Sequence, residues 1–230
     1  MESGTNLIPN NCGRVGAWFD YNDGTGTQVP PASSPDGGVN SFVPSVIPNG
    51  GRGASHYAAH TDGSGFSSYA GMGVTLGGLP NGMNPPYDAA AHGYTGIQFY
   101  AMLGSTPGAQ PRIEIMAVDK YSTPAAGLCD PNVQSGPTQC YDNPRTTLTL
   151  SPTWTLVTIP FGMLVRGGWG YGGTAPLDPT TLYTIAFEDN NTETGNSAPL
   201  TVDIWISDIS FTEAGPDASV EGGAVDAQGD

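Results

Sequence analysis

Positive charge is scarce in this chain. Six Lys and Arg stand against 21 Asp and Glu in 230 residues, a formal charge of −15. Lys120 is the single lysine. Nucleic-acid affinity rests on cations that neutralise phosphates, so that class of partner is excluded. An anionic membrane or a polyanionic sugar would be repelled for the same reason, whereas an uncharged polysaccharide meets no such barrier. Long hydrophobic runs are also missing. No segment is apolar over the roughly 20 residues that a membrane-spanning helix needs, so no membrane insertion is expected. No stretch repeats apolar residues at i, i+3, i+4 and i+7 over three turns, which removes the amphipathic helix as a building block. Cysteine is rare, and His-x-Cys and Cys-x-x-Cys spacings are absent, which argues against a zinc site.

Turn residues are abundant instead: 34 Gly and 21 Pro, placed between short apolar runs. Strands are expected near 14–19, 54–61, 71–76, 95–103, 112–118, 145–150, 153–161, 181–187 and 200–211, with turn signals between them. So many short strands without helices predict an all-β chain of two packed antiparallel sheets, a β-sandwich. One domain is expected over 1–212, followed by an acidic Gly/Pro/Ala-rich tail or linker over 213–230 that has no basic residue. Residues 28–52 read as a long surface loop. The connections 77–94, 119–144 and 162–180 are long enough to be functional. Cys129 and Cys140 bracket a loop rich in Pro, Gly, Asn and Gln and are expected to form a disulfide, leaving Cys12 either free or paired outside the chain. Residues 6–11 do not form a signal-peptide core, so Met1 reads as a start placed on a mature or trimmed segment.

Alternation assigns faces. Ile97 and Phe99 point one way, Gln98 and Tyr100 the other; Ile113 and Ile115 point inward, Arg112 and Glu114 outward. In the last strand Val202, Ile204 and Ile206 share a face, and Asp203, Trp205 and Ser207 the opposite one. If those strands are neighbours, their outward residues converge on one polar-aromatic patch. A sugar ring stacks its C–H face on Trp or Tyr while its hydroxyls seek carboxylates, amides and Arg. The candidate ligand-binding residues are therefore Tyr57, Gln98, Tyr100, Arg112, Glu114, Trp169, Tyr171, Asp203 and Trp205. Core packing is the expectation for Trp18, Trp154 and Tyr183. Trp169 and Tyr171 sit in a glycine-rich loop where edge packing and ligand contact are both open. Arg112 and Glu114 could equally form ion pairs on a solvated face.

Asp20 and Asp23, with Asn22 and the carbonyls around Gly24, form an oxygen-rich turn, and Asp208 would join it if the termini meet; calcium takes such ligands, but Asn-Asp-Gly is also an ordinary turn. Asp189, Asn190, Asn191 and Glu193 form a second such loop. His56, His60 and His92 read as surface or loop residues. Glu114 and Glu188 could face one another if their strands are neighbours, but no acid/base signature surrounds either. Gly-x-Ser-x-Gly is absent, and Gly71-Met72-Gly73 does not complete a dinucleotide fingerprint.

Several segments occur in the order found in a known family. Gly13-Arg14-Val15-Gly16-Ala17-Trp18 precedes Tyr21-Asn22-Asp23-Gly24-Thr25. Tyr94-Thr95-Gly96-Ile97-Gln98-Phe99 and Trp154-Thr155-Leu156-Val157-Thr158-Ile159-Pro160-Phe161 follow, and Asp203-Ile204-Trp205-Ile206-Ser207-Asp208-Ile209 closes the series. Over most of 13–212 the chain resembles secreted bacterial jelly-roll modules, similar to the family 11 carbohydrate-binding modules and other galactose-binding-like sandwiches. That resemblance implies a jelly roll whose concave face binds glucan, no catalysis, a structural calcium and a glycoside hydrolase as the usual neighbouring domain. Relatives often carry an acidic cluster where residues 6–11 stand here. The expected function is a non-catalytic module, secreted or at the cell surface, that binds a neutral polysaccharide. The alternatives are a self-assembling subunit of an extracellular fibre or surface layer, and a jelly-roll glycoside hydrolase or lyase. An exposed groove with unburied aromatics would mark binding, large intermolecular contacts assembly, and paired carboxyls with one raised pKa catalysis.

Overall fold

The computed structural model describes residues 4–32, 42–78, 85–191 and 198–213. It is built from strands and four short 3-10 turns, with no α-helix among the described residues. The strands are β1 (Val15–Gly16), β2 (Trp18–Asn22), β3 (Thr27–Val29), β4 (Ser45–Val46), β5 (Tyr57–Phe66), β6 (Tyr69–Thr75) and β7 (Gly77–Gly78). They continue as β8 (Tyr94–Leu103), β9 (Arg112–Val118), β10 (Arg145–Thr149), β11 (Thr155–Pro160), β12 (Thr184–Asn190) and β13 (Leu200–Glu213).

Two antiparallel sheets face each other. One has the order β10-β9-β12-β6-β2 and the other β11-β8-β13-β5-β3, with β4 beside β5. All nine expected strands are present. The segment read as one long loop, 28–52, also supplies most of β3 and all of β4, too short and too polar to show a period. The acidic tail beyond Glu213, and Glu193 of the second oxygen-rich loop, lie outside the described residues.

The core forms where inward positions of both sheets meet. Ile113 and Ile115 of β9, Ile185 and Phe187 of β12 and Met72 and Val74 of β6 pack against Ile97 and Phe99 of β8 and Ile204 and Ile206 of β13. Phe99 meets Phe187 edge-on at 5.0 Å. Burying a side chain of this size contributes about 1.5–3 kcal/mol. Trp18 is buried, as expected; Trp154 and Tyr183 are only half-buried, because both sit near strand ends rather than between the sheets.

The outward face of the five-stranded sheet is hollow, for a local reason. Strand β6, between β12 and the edge strand β2, turns Met72 and Val74 inward, which leaves Gly71 and Gly73 outward. A Cβ at Gly71 would lie 2.3 Å from the Phe187 carbonyl oxygen, and one at Gly73 would meet the Phe19 ring at 2.9 Å. At these two positions β6 adds no side chain to that face, while Phe19 and Tyr21 of β2 and Glu188 of β12 stand on either side.

Candidate functional site

A groove of about 670 Å³ runs over this face. Its floor holds Glu114 of β9 and Glu188 of β12, which are register partners on adjacent antiparallel strands. Tyr21 of β2 and Tyr69 of β6 stand at one side, their rings 6.2 Å apart. Trp169 and Tyr141 rise from the long connections 162–180 and 119–144 and are 41% and 53% exposed, so their rings are available to a ligand.

Two like carboxylates side by side cannot both ionise cheaply. Burial and then the neighbouring Glu114 raise the Glu188 pKa to about 7, against the pull of Tyr21, Asn190 and Arg145. Asn190 Nδ2 donates to Glu188 Oε1 at 3.0 Å. Glu114 has a cation near it: Arg145 Nε lies 3.7 Å from Glu114 Oε2. The floor thus pairs an acid poised to keep its proton with a carboxylate held beside an arginine. The buried Tyr21 hydroxyl faces Glu188, and burial and then Glu188 keep it protonated well beyond the ordinary range.

The Trp169 wall is pinned from below. The carboxylate of Asp142, fully buried, accepts from four consecutive backbone amides: Gly167 and Gly168 at 2.8 Å, Trp169 at 3.0 Å and Gly170 at 3.1 Å. Arg166 pairs with buried Asp119 and donates to the Asp142 carbonyl at 2.8 Å. Two residues before Asp142, the expected disulfide Cys129–Cys140 closes its loop. Asp142 also accepts from Arg145 Nη1 at 3.4 Å, which links the Trp169 loop through Arg145 to Glu114.

The expected patch does not form as one surface. Arg112, Glu114 and Trp169 belong to the five-stranded side. Gln98, Tyr100, Asp203 and Trp205 lie on the outward face of the six-stranded sheet, with the whole sandwich between. Trp205 is only 7% exposed. His60 stacks on it at 3.8 Å, and Ile47, Ala58, Met102 and Trp154 close round it. Its indole Nε1 donates to Asp203 Oδ1 at 3.1 Å. Asp203 also contacts His60 at 2.9 Å and accepts from the Thr106 amide at 2.9 Å. Burial works against its charge, yet the His60 and Thr106 hydrogen bonds hold its carboxyl below the usual range. His60 is therefore not a surface histidine. Tyr100 is covered by the Arg52 guanidinium at 3.6 Å, and Tyr171 leans on Tyr121. Tyr57 lines a separate pocket between the sheets. Alternation gave each residue its face correctly but could not say that a loop covers one outward face and spares the other.

The three carboxylates expected to bind calcium are not brought together. Asp20 points inward, Asp23 holds its own turn through Thr25 and the Ser68 amide, and Asp208 pairs with Arg52 and Ser55. Among the described residues no group of three or more His, Cys, Asp or Glu could hold a metal ion. These side chains do not fit the calcium site implied by the resemblance.

Sequence reasoning missed Tyr21, Tyr69, Tyr141, Asp142 and Arg145. A signal existed for Tyr21: with Trp18 inward, alternation turns Phe19 and Tyr21 outward. Nothing local marked Asp142, whose partners lie 25 to 28 residues away.

No protein-family model and no curated protein matches this chain. Among solved structures, a family 11 carbohydrate-binding module from Clostridium thermocellum, in complex with a β-1,3-1,4-mixed-linked tetrasaccharide, aligns with a TM-score of 0.51 over 91% of this chain and 95% of its own, at 14% identity. The family 11 module of the C. thermocellum cellulosomal cellulase Lic26A-Cel5E aligns with a TM-score of 0.51 over 86% and 88%, at 15% identity. The fold is that of the family 11 carbohydrate-binding modules. An exo-β-agarase shares this family 11-like jelly roll in part: TM-score 0.50 at 9% identity, covering 92% of this chain but 24% of the agarase.

Proposed function

We propose that the groove over the five-stranded sheet binds a neutral polysaccharide without cleaving it, in a protein that works outside the cell. The observation that carries this reading is an open 670 Å³ groove in which exposed Trp169 and Tyr141 flank the Glu114–Glu188 floor. Aromatic rings stack on the apolar faces of sugars, and the carboxyl pair with Tyr21 and Asn190 offers donors and acceptors to hydroxyls. Net charge of −15 disfavours an anionic glycan. The shared fold with a module solved in complex with a mixed-linked tetrasaccharide supports a glucan as the first ligand to try. A disulfide suits an oxidising compartment.

Affinity electrophoresis across uncharged polysaccharides, with and without chelator, tests the reading. Retardation by at least one of them, lost in Trp169→Ala, is expected. Unchanged mobility on every matrix would overturn it.

The hydrolase reading also has an observation in its favour, the paired carboxyls with one pKa near 7. Their placement argues against cleavage. Glycosidase carboxyls flank the scissile bond, whereas Glu114 and Glu188 rise side by side from neighbouring strands and would lie on one side of a bound chain. No new reducing ends are expected when the protein is incubated with the glycan it retains.

A further inference from the structure

A second cavity, of about 320 Å³, opens between the two sheets and has no part in the groove. Its deep walls are Trp18, Val74, Leu76, Ile97 and Ile185, all core residues. Residues Ile8 to Arg14 and the stretch Asp208–Phe211 of β13 frame its mouth. The opening has a local cause. The pairing of β13 with β8 slips between Ser207 and Ser210, and Asp208 adopts a left-handed φ of 51°. Such a bulge bends a strand out of its ladder. Asp208 is fixed there by Arg52 and Ser55, so its charge is already answered.

Arg14 at the mouth is different. Arg52, Lys120, Arg145 and Arg166 each have a carboxylate partner. Arg14 has none among the described residues. Its Nε donates to the Asn11 carbonyl at 3.2 Å, and its guanidinium lies 5.3 Å over the Phe211 ring. These two contacts orient the group and leave both Nη donors unpaired. An arginine fork with two free donors matches a carboxylate. Among the described residues Arg14 is thus a cation without a carboxylate partner, held at the rim of an apolar cavity.

We infer that this pocket binds a small apolar monocarboxylate, its carboxylate on Arg14 and its hydrocarbon body against Trp18, Val74 and Ile97. The volume corresponds to roughly ten non-hydrogen atoms at about 30 Å³ each. A sugar is a poor occupant, since its hydroxyls would lose water and find no partner on these walls.

The test is a two-dimensional NMR titration of the full chain with octanoate, with 1-octanol as uncharged control and butanoate as the short one. A ligand of this size binds in the millimolar range, so titration to about 10 mM suffices. Octanoate is expected to shift the Trp18 indole and the Arg14 Nε resonances and to bind at least about tenfold more tightly than octanol, the size of one charge-assisted contact. Arg14→Gln should bring the two ligands to parity, and Val74→Phe should abolish both. Arg14→Gln lies at the rim and keeps the test open if Val74→Phe does not fold. Equal binding of octanol and octanoate by the unaltered protein, or no shift at Trp18 with octanoate, would overturn the inference. Glycan retention in the groove is a separate readout that Arg14→Gln should leave alone.

Discussion

Glu114 and Glu188 stand directly opposite one another on adjacent antiparallel strands, on the floor of an open groove. Like charges in that position repel. The conflict is resolved by a proton: Glu188 titrates near pH 7, while Arg145 stands beside Glu114.

Glycan retention should therefore weaken as pH rises through about 7, because Glu188 loses the proton it would donate to a sugar hydroxyl. Glu188→Gln, which keeps a donor at every pH, should flatten the profile between pH 5 and 9. Affinity electrophoresis at stepped pH measures this. A wild-type profile already flat would count against the carboxyl pair as a sugar contact.

Trp169→Ala and Trp205→Ala should behave in opposite ways. Trp169 is 41% exposed, so its loss should cut glycan affinity about tenfold or more at nearly constant melting temperature. Trp205 is buried against His60, so its loss should cost about 3–5 kcal/mol of stability. Thermal melts paired with binding assays separate the two; a stable Trp205→Ala protein that no longer binds would reverse the assignment of faces.

Asp142→Ala should loosen the Trp169 loop, since four amides lose their acceptor at once. A destabilisation of at least about 3 kcal/mol is expected, because bonds to a charged group are worth roughly 1.5–3 kcal/mol each. Hydrogen exchange at 167–170 should accelerate more than in the core strands. Uniform exchange across the domain would mean that Asp142 does not hold this loop in particular.

Asp20 is buried with both oxygens unpartnered, and its pKa is raised from 3.8 to about 8, by burial first. The sign follows from linkage. The folded state keeps a proton that the unfolded chain releases, so this residue costs stability as pH rises from about 4 to about 8 and no more beyond. Asp20→Asn should raise the melting temperature at pH 8 by several degrees, at about 2–4 °C per kcal/mol for a chain of this size. Near pH 4 the difference should vanish. A uniform shift at both pH values would point to a packing effect instead.

Much of the fold was legible because its signals are local. Arg112–Val118 was readable to the residue, since Ile113 and Ile115 alternate with Arg112 and Glu114. Strands β3 and β4 were not, being two or three residues long and defined only by pairing with β5. The site was read in part. Glu114 and Trp169 were named from outward position and loop context, and both line the groove. Trp205 and Tyr100 were named by the same reasoning and are covered, because a residue's face along its own strand says nothing about what folds over it.

The sequence by itself determined the all-β class, the positions of the longer strands, the faces of their residues and the disulfide, since period and turn chemistry are properties of neighbouring residues. Only the tertiary structure decided that Glu188 pairs with Glu114, that Gly71 and Gly73 hollow one sheet, that Ile47 and Trp154 close over Trp205 and that Asp142 reaches 27 residues forward to hold a tryptophan. Those relations depend on which strands become neighbours, and strand order is set by how the whole core packs rather than by any segment within it.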